Sequence, residues 1–474
     1  MNDISNNIKR VLIVFLVCFL GLILYITYFE FFVGPKIVSS QYNRRLWVKR
    51  NEVLRGTIYD RKMKPLTKSE RLNKEFQKRE YVDGEMFAHV LGYVNIKYGI
   101  TGLEKKYDNE LMTTNIKDSL LDFIKSKGKE EPKIGNSIKS TLNYKVQQKA
   151  FELLGDNKGA VVVIEPKTGE ILALVSKPSY NPNKLDDIWS SINKDNDRPL
   201  INRATAGLYP PGSTFKVLTA VSALQNIDGI MNRTFQDNGT LVFNSTQSLS
   251  NFNGESFGSI NFRQSFVHSS NVVFGSLGLE LGNSRLKDTA EKFFFNKNIP
   301  SDDIVIENSK FPTLKSYEKG NIAQSAIGQA TVLSTPMEMA LITSTIANDG
   351  VMMKPKLVKE ILSYKGERVQ DLEPEQIGKI MTNDESRIIK EFMREVVRSG
   401  TGRGASVEGV EVCGKTGTAD HREGGYAPPH SWFIGFAPYD NPKVAVAVIV
   451  EEGGQGGIAA ARIASEVIRT ALNE

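Results

Sequence analysis

The sequence predicts an α+β fold: an antiparallel sheet flanked by helices, carried behind a small N-terminal module and one membrane-spanning helix. Three observations predict it. Val11–Phe29 is a run of nineteen residues without a charge. β-rich runs stand at both ends of the larger C-terminal part, with helix-patterned segments between them. Among those segments, Tyr209-Pro210-Pro211-Gly212 makes a turn that delivers Ser213 and Lys216 onto the start of a helix.

The N-terminal run comes first. At about 1.5 Å per residue it nearly crosses a hydrocarbon core of ~30 Å, and Phe31–Val33 extend it. No small-x-small cleavage pattern follows, so an uncleaved anchor is expected rather than a signal peptide. Lys9 and Arg10 precede the run, while Lys36, Arg44 and Arg45 follow it, which leaves charge counting undecided on orientation. Residues 36–79 are rich in Lys and Arg, as a solvated surface or one near anionic lipid or wall polymer would be.

The rest of the chain is read in order. Lys125–Pro132 is polar and expected to be exposed. Asn143–Leu154 has helical spacing, with Val146, Ala150, Leu153 and Leu154 on one side. Gly159–Ile164 and Glu170–Val175 read as a hairpin around Glu165-Pro166-Lys167-Thr168-Gly169. Phe215, Val217, Leu218, Ala220, Val221 and Leu224 predict a buried helix after Ser213, and Asn271 opens another apolar run. A helix is expected over Met337–Ala347. Trp432–Ala437 and Val444–Val450 form a second strand pair, and Ala459–Leu472 a closing helix.

Composition narrows the class. The 474 residues suffice for one large domain plus smaller material. A net charge of +6 is modest for this length, and no nucleic-acid module or internal repeat is present. The two cysteines, Cys18 and Cys413, lie far apart, so no disulfide framework is expected.

Ser213 and Lys216 are three apart and share a helix face. A desolvated lysine there loses its proton readily and can accept one from the hydroxyl. Alone, S-x-x-K is as well explained by a helix cap beside a solvated lysine. Downstream stand Ser269-Ser270-Asn271 and Lys415-Thr416-Gly417-Thr418-Ala419, in that order. Together the three motifs resemble the signature of penicillin-binding proteins and serine β-lactamases. Arg203-Ala204 and His430-Ser431-Trp432-Phe433-Ile434-Gly435-Phe436-Ala437-Pro438 sharpen the match to the class B penicillin-binding proteins, the monofunctional cell-wall transpeptidases. Arg55-Gly56-Thr57-Ile58-Tyr59-Asp60-Arg61, His89–Val94 and Gly102–Tyr107 resemble the non-catalytic pedestal of that class.

The resemblance implies a division into a cytoplasmic tail (1–10), a transmembrane anchor (11–33), a pedestal (34–140) and a transpeptidase domain (141–474). It implies that Ser213 is the nucleophile, Lys216 its general base, Ser269 a proton relay and Asn271 a holder of the substrate amide. Lys415 and Thr416 would meet the substrate's terminal carboxylate. Gly417 lies between them and Thr418, whose backbone N–H joins that of Ser213 in an oxyanion hole. The implied reaction is cross-linking of peptidoglycan stem peptides ending in D-Ala-D-Ala through a serine acyl-enzyme, blocked covalently by β-lactams and needing no cofactor. The implied location is the cell membrane, single-pass, with the catalytic part extracytoplasmic. The implied partner is a membrane glycan polymerase of the shape, elongation, division or sporulation type. Relatives usually read G-Q-G where this chain has Gly328-Gln329-Ala330, so alanine would be strained if that position requires positive φ.

One cluster stands outside the signature. Cys413, Asp420, His421 and His430 surround the K-T-G strand and have the chemistry of a tetrahedral Zn²⁺ set, expected to be structural. Against it, His430 already fits the family's H-x-W-F pattern, Cys413 suits a small core position, and the spacing matches no standard zinc motif. Two other functions share the motifs. A β-lactamase would have to hydrolyse its acyl-enzyme quickly, and the anchor and pedestal-like stretch argue against it. A β-lactam sensor would need a cytoplasmic effector, and ten residues precede the apolar run.

Overall fold

In a computed structural model, the structure describes residues 2–33, 47, 51–73, 76–114, 133–420 and 427–474. Lys125–Pro132, His421 and part of the basic 36–79 stretch lie outside the described residues. Helix α1 (Asn2–Tyr28) continues as a wider turn over Phe29–Val33, and its apolar side chains from Val11 to Phe32 are exposed rather than packed on protein. Its length and composition suit a bilayer crossing.

The N-terminal module is built from short strands and helix α2 (Gly84–Leu91). Its centre is an ion-pair cluster built on the motif residues Arg55 and Glu104. Arg55 donates through Nε to Glu104 Oε2 at 2.5 Å and through Nη1 to Asp108 Oδ1 at 2.6 Å. Arg79 Nε donates to the other oxygen of Glu104 at 2.7 Å. Burial would raise the Glu104 carboxyl, but Arg79 and Arg55 hold it below its ordinary value. The module does not end cleanly. Its strand Ile58–Tyr59 pairs with Ser137–Ser140, which pairs in turn with Val358–Leu362 and, through it, Arg368–Asp371.

The larger part begins with α3 (Tyr144–Leu154), capped by Asn143, whose side chain accepts from Lys145 N and Val146 N. It is followed by β1 (Gly159–Ile164), β2 (Ile171–Lys177), α4 (Lys216–Asn226), α5 (Asn271–Lys292), α6 (Pro336–Ala347) and α7 (Asn383–Arg398). The chain then returns through β3 (Cys413–Ala419), β4 (His430–Ala437), β5 (Val444–Val450) and α8 (Ala459–Leu472). The five strands form one antiparallel sheet in the order β2-β1-β5-β4-β3. Both faces of the sheet are covered. Ala160, Val162 and Ile164 enter the core shared with α4, α5 and α6, while Val161 and Val163 enter a second core with α3 and α8. That is why β1 and β5 read as unbroken apolar runs rather than as alternating ones. β3 is left at the edge of the sheet.

Removing Glu104 leaves two guanidinium groups without their shared carboxylate, so Glu104→Ala is expected to cost about 3–5 kcal/mol of stability near pH 7. Because the folded-state value lies below 4.5, that contribution is complete above pH 4.5 and is lost as pH falls through the depressed value. Denaturant melts of parent and variant should therefore converge in acid.

Candidate active site

The turn before Ser213 is fixed on three sides. Tyr209 and Ser334 exchange backbone hydrogen bonds of 3.1 and 2.8 Å, and Trp432 Nε1 donates to Pro210 O at 3.0 Å. Gly212 N donates to Gly328 O at 2.9 Å. Gly212 has φ +53° and a Cβ there would lie 2.7 Å from Thr418 O, so neither the backbone nor the space admits another residue. Residues Gly212–Phe215 form a 3₁₀ turn, and α4 starts only at Lys216. The sequence places Ser213 on the first turn of the helix itself. The two prolines and the left-handed glycine instead tighten that entry into a separate turn.

Lys216 and Lys415 are both fully buried. Lys216 Nζ donates to Ser269 O at 2.6 Å, Asn271 Oδ1 at 2.7 Å and Ser269 Oγ at 3.2 Å. Lys415 Nζ donates to Ser269 Oγ at 2.8 Å and to Thr416 O at 3.2 Å. Two amines therefore converge on one serine oxygen. Ser213 is not among the partners of Lys216, as is common before substrate draws such groups together. Burial pushes the Lys216 amine well below its ordinary value and the neighbouring Lys415 lowers it further, with Asp237 opposing. Burial alone brings Lys415 down to about 7. Ser269 itself is held at φ +58°, a conformation that costs a non-glycine residue about 1–2 kcal/mol.

Ser213, Ser269, Asn271, Thr416 and Thr418 line one cleft of about 920 Å³. Thr416 Oγ1 shares a 2.7 Å hydrogen bond with Thr401 Oγ1, and Thr418 Oγ1 accepts from Gly456 N at 3.3 Å. A Cβ on Gly417 would lie 2.8 Å from Pro211 O, so the small residue lets the Ser213 turn sit against β3. As an edge strand, β3 presents backbone groups that no sixth strand among the described residues covers.

The zinc set does not assemble. Cys413 pairs with Phe436 and Ala419 with His430, so Cys413 and His430 stand six positions apart along β3, about 20 Å. Cys413 is buried in the apolar core, and burial raises its thiol far above the ordinary value. His430 Nδ1 accepts from Glu452 N at 3.1 Å. Asp420 is exposed at the cleft and His421 lies outside the described residues. Among the described residues no group of three or more His, Cys, Asp or Glu is placed to hold a metal ion.

Sequence reading missed several neighbours of the site: Trp432 as the clamp on Pro210, Thr401 beside Thr416, and Asp237 and Asn251 behind the S-x-N turn. Trp432 stands in the H-x-W-F stretch, which does not disclose its partner, and Thr401, Asp237 and Asn251 belong to no short motif. Their contacts span from 15 to 222 residues of sequence, and only the fold discloses them.

A serine on a tight turn, two desolvated amines and an open strand edge define an acyl-transfer site. The chain belongs to the penicillin-binding protein transpeptidase family: the family described as penicillin binding protein transpeptidase domain matches residues 159–469. A second, described as penicillin binding protein A dimerisation domain, matches residues 55–138. The chain is 35% identical over 421 residues to peptidoglycan D,D-transpeptidase PbpA of Mycolicibacterium smegmatis, covering 84% of each. It is 31% identical to peptidoglycan D,D-transpeptidase MrdA of Acinetobacter baumannii over 81% of this chain and 64% of that protein. A ceftriaxone acyl-enzyme complex of penicillin-binding protein A from M. tuberculosis superposes with a TM-score of 0.83 at 31% identity, over 90% of this chain and 100% of that one.

Ala330 has φ +59° and is exposed, so the strain expected at that position is present. Ala330→Gly removes about 1–2 kcal/mol of strain and adds somewhat less in chain entropy. A net gain of about 0.5 kcal/mol is expected in a thermal melt.

Proposed function

We propose that this chain is a membrane-anchored peptidoglycan D,D-transpeptidase that works through a Ser213 acyl-enzyme and is inhibited covalently by β-lactams. The observation that carries the reading is the pair of buried amines meeting at Ser269 beside Ser213. It is supported by relatives named D,D-transpeptidases and by the β-lactam acyl-enzyme complexes of a structural neighbour.

In this reading the deprotonated form of Lys216, whose hold on its proton is weakened by burial, takes the proton of Ser213 Oγ as that oxygen attacks the carbonyl of the penultimate D-Ala. The oxyanion is met by the N–H groups of Ser213 and Thr418, each donor contributing about 2.7–4 kcal/mol to the transition state. Collapse breaks the D-Ala–D-Ala amide, and the leaving amine takes a proton relayed through Ser269, which both lysines touch. Lys415 and Thr416 hold the terminal carboxylate, and Asn271 the substrate amide. The amine of a second stem then attacks the ester, loses its proton along the same path, and frees Ser213.

The fit of substrate to β3 is by strand addition, since its backbone edge is open. We assign residues 1–10 to a cytoplasmic tail, 11–33 to the anchor, 34–140 to the non-catalytic module and 141–474 to the catalytic part, which faces the wall. A membrane glycan polymerase is the partner this chemistry requires, because nothing in the site makes glycan.

Intact-mass measurement after penicillin treatment should show one adduct on the parent, stable for many minutes, and none on Ser213→Ala. Rapid loss of the adduct would instead indicate a hydrolase. The second-order rate of acylation should follow a bell. It rises with pH as Lys216 loses its proton, and falls as Lys415 loses its own near the value of about 7. Lys415→Arg should abolish the alkaline limb, because guanidinium does not titrate in this range.

A further inference from the structure

Between α4 and the S-x-N turn the chain makes two nested hairpins. Thr234–Asp237 pairs with Gly258–Asn261, and Thr240–Val242 pairs with Ser248–Ser250 inside it. Asp237 lies where the outer hairpin passes into the inner one, and it is fully buried. Its carboxylate accepts from Ser270 Oγ at 2.6 Å, from Asn251 Nδ2 at 2.8 and 2.9 Å, and from Gly239 N at 2.9 Å. Asn251 is buried too, and passes the contact on. Its Oδ1 accepts from the backbone N–H of Asn271 at 2.7 Å and of Val272 at 3.1 Å.

One carboxylate thus fixes the middle residue of Ser269-Ser270-Asn271 directly and the last one through Asn251. The arrangement also answers a question of strain. Ser269 occupies a left-handed conformation that a serine does not prefer, and both its neighbours on the C-terminal side are held from behind. Ser270 Oγ serves twice, donating to Asp237 and accepting from Val273 N at 3.0 Å as the cap of α5.

The charge itself is the second observation. Among the described residues Asp237 forms no ion pair, and a neutral side chain of the same shape would satisfy most of these donors without the cost of burying an ion. The charged groups acting on the Lys216 amine are Lys415 from β3 and Asp237 from the hairpin; Ser269, Asn271 and the Phe274 ring, 5.7 Å away, complete its surroundings without charge.

We infer that Asp237 is a positioning residue for the acyl-transfer reaction: through Ser270 and Asn251 it holds the S-x-N turn in the geometry that Lys216 and Lys415 meet, and its charge acts on the Lys216 amine. The inference rests on the function proposed above. It separates two contributions, since Asn251 carries only the positioning and Asp237 carries both.

The test is the rate of penicillin acylation against pH for the full-length protein, with Asp237→Asn and Asn251→Ala beside the parent. Both variants should lose about tenfold or more in the second-order rate constant. Asp237→Asn alone should also move the acid limb about one pH unit lower, because Lys216 loses the charge that favours its protonated form. Asn251→Ala should leave that limb in place. An effect on folding alone would lower the melting temperature without displacing the limb. Asp237→Asn that acylates within twofold of the parent with an unmoved limb overturns the inference. Should Asp237→Asn fail to fold, Asn251→Ala decides: a tenfold loss with an unmoved limb supports the relay, and a rate within twofold overturns it. A parent that takes no adduct at all overturns the proposed function, and this inference with it.

Discussion

Two lysine amines brought out of water onto one serine hydroxyl are the constraint around which the catalytic part is arranged. A buried ammonium is costly, and two close together are more so. The chain meets that cost with carbonyl and amide acceptors at Ser269, Asn271 and Thr416, and with an aromatic ring 5.7 Å from each amine. What remains is a pair of amines whose hold on their protons burial has weakened, as acyl transfer to and from one serine needs.

The sheet makes this possible by separating support from chemistry. β1 and β5 are buried on both faces and anchor two helical layers, while β3 keeps one side free. Lys415 reaches inward from the same strand whose threonines face the cleft, so register along β3 fixes the spacing between amine and hydroxyls. Gly212 and Gly417 let the Ser213 turn and this strand approach at distances that a methyl group would prevent, and Gly328 lets its own loop close on the same turn.

Much of this was legible from the residues. The apolar runs of β1, β2 and β5 and the helical spacing of α3 are local signals, and they match the observed elements closely. The three motifs pointed to the groups that line or underlie the cleft because each motif is short and chemically specific. Contacts between distant segments were not legible. The 3₁₀ turn at Ser213 depends on Gly328, and the surroundings of the S-x-N turn depend on two nested hairpins. The zinc reading failed for the same reason. Closeness along the sequence at Cys413 and His430 became opposite ends of a ladder once the strands paired antiparallel.

The four-stranded sheet formed by Ile58–Tyr59, Ser137–Ser140, Val358–Leu362 and Arg368–Asp371 stitches the N-terminal module to strands contributed by the catalytic part. Such a seam is stiff in shear, because sliding the two parts would break a row of ladder bonds together rather than one after another. A load on the N-terminal module is therefore shared by the whole ladder where that module meets the catalytic part, rather than carried by a single contact.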